Sequence, residues 1–160
     1  MNWKPSATFA ALHARAALNR SIRDFFIETH ALEVELPILN HAPVADMNIE
    51  PIVESTKSAQ LESDVMPTLY LHTSPEYSMK RLLCAGSGDI YALGKVFRAG
   101  EAGGRHNPEF TMLEWYRPGF ALDDLIRECL ALFATLFPSA QSKTCLLYTS
   151  DAADHLLFLY

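Results

Sequence analysis

Between Ile90 and Tyr116 the chain carries two strand-length runs separated by a glycine-rich, cationic loop, and that pattern commits this stretch to a hairpin. The first run, Ile90-Tyr-Ala-Leu-Gly-Lys-Val-Phe97, holds the β-branched and aromatic residues that suit a pleated surface. The second alternates. Phe110, Met112, Glu114 and Tyr116 share one face, while Thr111, Leu113 and Trp115 share the other. The loop supplies Arg98, Arg105, His106 and Asn107, with Gly100, Gly103 and Gly104 among them. A carboxylate and a phenol on one strand face beside such a loop suit a polyphosphate and a cationic substrate held together. That is the layout expected of an ATP-dependent activation site.

The elements around the hairpin follow from local signals. Ser6 is the expected N-cap of a helix running to about His30, with Phe9, Leu12, Ala16, Ile22, Phe25 and Phe26 as its apolar stripe. Leu32, Val34 and Leu36 alternate like a strand that meets Pro37. A proline cannot donate to a ladder, so Pro37 belongs at a sheet edge, a bulge or an interface. Residues 40–66 form a mixed stretch with strand-like Ile52-Val53, and Thr68 to His72 read as a short strand. Ser74 is expected to cap the next helix, with Pro75 at its first position and Glu76 in its first turn. Leu122 to Phe137 form the last helix, with Asp123 and Asp124 near its start. The order helix, strand, helix, hairpin, helix predicts an α+β fold, an antiparallel sheet flanked by helices and not a βαβ array.

With 160 residues the chain suffices for one ordinary domain, and 49% hydrophobic against 20% charged residues is a globular balance. A net charge of -6 gives no general attraction to nucleic acid or an anionic membrane, so phosphate binding must come from local focusing at the loop. Cys84, Cys129 and Cys145 show no metal-ligand spacing, which predicts a reduced protein without a zinc site. No secretory signal or membrane-length apolar run is present, so no membrane partner is expected and the cytoplasm is the expected compartment. The decapeptide Cys145 to Asp154 resembles the in-frame translation of a transposase adapter used in sequencing libraries. Residues 1–143 are therefore read as the N-terminal part of a catalytic domain and 144–160 as a non-native tail. The alternative is a genuine short strand and turn.

Over about residues 3–140 the chain resembles the catalytic core of class II aminoacyl-tRNA synthetases of lysyl type. More narrowly it is similar to the lysyl-tRNA synthetase paralogues that attach (R)-β-lysine to elongation factor P. The helix and strand ending at Pro37 look like motif 1, Thr73-Ser-Pro-Glu-Tyr-Ser-Met-Lys80 like the lysine-pocket helix, and Phe97 to Tyr116 like motif 2. The paralogues are favoured by Trp3-Lys4-Pro5-Ser6-Ala7 and by Glu114-Trp115-Tyr116-Arg117-Pro118. Residues 1–36 are also too few for a five-stranded anticodon-binding domain, and none is expected. The resemblance implies ATP and Mg2+ as cofactors, lysine or β-lysine as substrate, elongation factor P as acceptor and a homodimer.

The same resemblance assigns roles. Arg98 is the candidate catalytic residue, gripping the α-phosphate and substrate carboxylate with its planar guanidinium; alone it would read as a surface ion pair with Glu101. Gly100, Glu101, Arg105, His106, Asn107 and Phe110 complete the expected ATP site, with Phe110 stacking on adenine or simply packing in the core. Ser74, Pro75, Glu76, Glu114 and Tyr116 are the expected substrate site. A carboxylate at Glu114, flanked by Leu113 and Trp115, is costly to bury without a cation. The substrate ammonium meets that need, and the competing partner is Lys80 or Arg81. Glu76 is the candidate for a second substrate amine, or alternatively compensates its helix dipole.

Two departures stand out. Many lysyl-type motif 2 sequences place glutamate where this chain has Gly100, and Glu101 comes one position late. Nothing after residue 117 matches the glycine-rich third motif, so the magnesium ligands are expected in further chain and no metal site is expected here. The fragment alone is expected to be inactive. A lysine–tRNA ligase core and a non-catalytic class II-like binding module are the rival readings.

Overall fold

The computed structural model describes residues 3–54, 68–100, 103 and 106–138. Its elements are α1 (Phe9–Glu28), β1 (Leu32–Glu33), β2 (Leu39–Asn40), β3 (Val53–Glu54), β4 (Leu69–Leu71), α2 (Glu76–Cys84), β5 (Ile90–Phe97), β6 (Glu109–Tyr116) and α3 (Leu122–Leu136). They divide into two compact units, residues 1–30 with 119–160, and residues 31–118. Glu101, Arg105 and the expected non-native tail at 144–160 lie outside the described residues.

In the first unit α1 and α3 are in contact. The helix α1 starts two residues later than Ser6 would place it. Thr8 is the cap, its hydroxyl accepting the Ala11 N–H at 3.2 Å. A β-region Thr can satisfy one of the orphan amides of the first turn as well as a Ser can. Only the C-terminal half of the expected stripe is buried: Ile22, Phe25 and Phe26 are covered, whereas Phe9 and Leu12 are exposed. The Phe25 and Phe26 rings meet edge to face, with centroids 5.3 Å apart. At the start of α3, Asp124 accepts the Ala121 N–H at 2.9 Å and pairs with Arg127, and both contacts hold its carboxyl below the usual range. No described helix is long and apolar enough to cross a membrane.

The second unit holds two three-stranded sheets, ordered β1-β5-β6 and β2-β4-β3. The expected hairpin is its longest feature, with β5 and β6 antiparallel over eight pairs from Ile90↔Tyr116 to Phe97↔Glu109. Arg117 closes its open end by pairing with Asp89 at 3.1 Å, and the Arg98 N–H closes the loop end on Pro108 O at 2.9 Å. One pairing departs from a wholly antiparallel sheet: β1 runs parallel to β5, through Leu32↔Ile90 and Glu33↔Tyr91. The α+β class holds, with a mixed sheet.

The core of this unit is Met79 from α2 with Ile90 and Ala92 from β5, and Val34, Leu36, Leu82, Leu83 and Tyr116 pack against it. Met79 and Ile90 are fully buried, each contributing about 1.5–3 kcal/mol of transfer free energy. Val34 and Leu36 thus face inward as their alternation predicts, although Leu32 is 60% exposed. Pro37 is not in a strand and lies in the link between β1 and β2, and so between the two sheets. Those sheets are clasped at His72, which follows β4. Its N–H donates to Ile38 O, its carbonyl accepts the Phe97 N–H, and its Nε2 donates to Lys95 O at 2.7 Å. The carbonyl can only accept, which assigns the proton to Nε2.

Candidate active site

The site is built where the segment leaving β4 passes β6. Directly after His72, Thr73 and Ser74 reach in two directions. The Thr73 carbonyl accepts from Arg98 Nε at 3.2 Å, and the Ser74 hydroxyl donates to Glu114 Oε2 at 2.7 Å. Two consecutive residues therefore bind both the loop arginine and the mid-strand carboxylate of the hairpin.

Arg98 is buried, with 4% of its surface exposed, and its guanidinium lies over the Phe110 ring at 5.3 Å from the centroid. An aromatic face and a backbone carbonyl fix the plane of the fork, which is how a guanidinium is preorganised to grip two oxygens at once. Phe110, half-buried, thus meets a cation with its π-face.

Glu114 is half-buried on β6 and both of its oxygens accept hydroxyls. Oε1 takes the Tyr116 phenol at 2.8 Å, as the strand period requires of residues i and i+2, and Oε2 takes Ser74. Neither donor is charged. Among the described residues no ammonium or guanidinium lies within ion-pair distance of Glu114. Lys80, a competing partner named from sequence, pairs directly with Glu76, four residues earlier on α2, and feels the Glu114 charge only at longer range. That pairing, led by its hydrogen bond, raises the Lys80 pKa. Burial first, and then the bond to Glu114, push the Tyr116 phenol well above the ordinary tyrosine value. The phenol is therefore a permanent donor at neutral pH.

Ser74 also accepts the Glu76 N–H at 3.0 Å, so its hydroxyl links the first turn of α2 to the Glu114 carboxylate. The helix begins at Glu76 with Pro75 at the cap position, one residue later than the sequence suggests. Pro75 is itself in the αR region, and the Ser74 hydroxyl makes the bond to the Glu76 N–H that a serine before a proline-led first turn is expected to make. Ser74, Glu76 and Tyr77 line a cavity of about 20 Å³ whose far wall includes Asn40, Pro43 and Val44. Across it the Tyr77 phenol accepts the Ala45 N–H at 3.0 Å.

On the loop, Gly100 sits at φ +77°, the left-handed region glycine occupies without strain. Ala99 N–H donates to Glu50 O at 2.7 Å, which ties the start of the loop to residue 50. His106 and Asn107 are exposed, and His106 exchanges backbone hydrogen bonds with Gly103. Among the described residues no group of three His, Cys, Asp or Glu is placed to hold a metal ion.

Comparison with known proteins decides the family. The sequence model for class II tRNA synthetases (D, K and N) matches residues 1–154. The chain belongs to that family. This class II synthetase chain is 51% identical over 127 residues to an elongation factor P–(R)-β-lysine ligase of Haemophilus influenzae (strain PittGG), covering 79% of the chain and 39% of that relative. It is 49% identical over 144 residues to the ligase of the same name from Pseudoalteromonas translucida (strain TAC 125), covering 86% and 43%. It is 49% identical over 155 residues to the one from Yersinia pestis (strain Pestoides F), covering 97% and 47%. The chain therefore spans less than half the length of these relatives.

In this class II synthetase chain a buried, stacked guanidinium suits an anion, and a carboxylate bonded, among the described residues, by two neutral hydroxyls suits a cation. Two contributors escaped the sequence reading. Thr73 acts through its carbonyl, which no side-chain pattern reports. Tyr77 reads as an apolar helix residue, and only its position opposite Ala45 reveals the phenol's contact.

Proposed function

We propose that this chain is the N-terminal part of an ATP-dependent ligase that activates lysine or (R)-β-lysine as an adenylate and transfers it to a lysine of elongation factor P. The observation that carries this reading is Glu114, half-buried and held by Ser74 and Tyr116 with no cation at ion-pair distance among the described residues. A carboxylate so placed lacks a direct ion-pair partner, which a substrate ammonium provides. Arg98 supplies the opposite charge, tied through the Thr73–Ser74 step to the same segment.

In this reading Arg98 neutralises charge on the α-phosphate and the substrate carboxylate, bringing two anions together where they would otherwise repel. Glu114 and Tyr116 fix the side-chain or β-ammonium, and Ser74, Pro75 and Glu76 frame a second amine. His106 and Asn107, with Gly100, Glu101 and Arg105, line the nucleotide side, and Phe110 backs Arg98. ATP contributes the adenylyl group, with Mg2+ held by residues of further chain. Exposed Phe9, Leu12 and Leu18 on α1 support a homodimer, and a translation factor as acceptor puts the work in the cytoplasm. The names carried by the relatives favour elongation factor P over tRNA.

The test uses the full-length ligase. Pyrophosphate exchange dependent on lysine or β-lysine, followed by mass addition to elongation factor P, is the expected result. Charging of tRNA with elongation factor P left unmodified would overturn it, and so would binding without any exchange.

A further inference from the structure

β2 ends at Asn40, and the chain next meets another element where Glu50 bridges Ala99. The stretch between them carries an Asp46 turn of its own, in which the Asp46 side chain accepts the Asn48 N–H at 2.8 Å. Among the described residues it makes one hydrogen bond to a different element, the Ala45 N–H to the Tyr77 phenol at 3.0 Å. Tyr77 also lines a cavity together with Asn40, Pro43 and Val44 from this stretch and Ser74 and Glu76 from the segment before and at the start of α2. At about 20 Å³ the cavity admits a single group the size of a water or an ammonium. Residues 42–44, which form part of its lining, have no strand ladder to hold them.

We propose that Tyr77 is a positioning residue for amino-acid binding: its phenol, by accepting the Ala45 N–H, pins residues 40–44 as the wall facing Ser74 and Glu76. This inference rests on the substrate reading given above. Tyr77 touches neither reacting atom. It acts through the loop, and its position in the first turn of α2 puts its phenol across from that loop while Glu76 lines the same cavity.

The experiment is Tyr77→Phe in the full-length ligase, a change that deletes one hydroxyl and leaves the ring. The Michaelis constant for lysine or β-lysine in pyrophosphate exchange should rise about threefold to tenfold, the range expected for loss of one hydrogen bond. The Michaelis constant for ATP and the turnover number should stay within about twofold, and the Ala45 amide should exchange with solvent faster. A general structural defect would instead lower turnover and weaken ATP as well. An amino-acid Michaelis constant that does not move, in an active wild type, overturns the role of Tyr77 and leaves the function standing. A wild-type enzyme with no amino-acid-dependent exchange removes the functional reading itself.

Discussion

The Ser74 hydroxyl donates to Glu114 Oε2 at 2.7 Å, joining residues forty positions apart in one clamp. Ser74 Oγ also accepts the Glu76 N–H, which links the first turn of α2 to the middle of β6. The clamp orients a carboxylate without neutralising it.

Glu114→Gln keeps the shape of that clamp and removes its charge. In the full-length ligase the Michaelis constant for the amino acid should rise about tenfold to a hundredfold, the usual worth of a hydrogen bond to a charged group. The constant for ATP should change by less than about threefold. Pyrophosphate exchange with each substrate varied in turn measures both, and equal losses would make Glu114 a structural residue.

Arg98→Lys replaces a stacked fork with a point charge. The Phe110 face and the Thr73 carbonyl hold the guanidinium plane, and an ammonium cannot reproduce that two-point grip. Turnover should fall about a hundredfold to a thousandfold, as when a preorganised donor to transition-state charge is lost. Full exchange activity in a folded lysine variant would take the phosphate away from Arg98.

The phenol of Tyr116 gives a prediction at high pH. Its pKa is raised in the folded chain by burial and by its bond to Glu114, so the folded state holds the proton where the unfolded state releases it. The resulting stability is fully present below the ordinary tyrosine value, about 10, and is lost as pH rises beyond it. Melting temperatures from pH 8 to 11 should therefore show the wild type losing ground to Tyr116→Phe above about pH 10. Parallel curves would mean the phenol is not shielded.

The 160-residue chain by itself should not catalyse pyrophosphate exchange. It covers 39–47% of the relatives compared with it, and among the described residues no three His, Cys, Asp or Glu side chains are grouped to hold a metal ion. Exchange at the rate of the full-length ligase would refute this.

The hairpin was legible because its information is local. Alternation from Phe110 to Tyr116 puts Glu114 and Tyr116 on one face whatever the rest of the chain does, and the phenol-to-carboxylate contact at 2.8 Å follows from that period. The second sheet was not legible as a sheet. β2 and β3 have two residues each and β4 has three, too few to show any period, and they exist only because each finds a neighbour. The parallel start of β1 was hidden for the same reason, since two residues cannot announce their direction.

The sequence by itself determined the chemical inventory of this chain: an arginine and a carboxylate at fixed places on one hairpin, a serine and a glutamate at a helix start, and the family they resemble. The tertiary structure alone decided who meets whom. It put Thr73 O on Arg98, Ser74 on Glu114 and Tyr77 on Ala45. Side-chain periodicity reports which face a residue occupies. Contacts between segments tens of residues apart, and all contacts made by backbone carbonyls and amides, depend on how the chain returns upon itself, and no local pattern records that.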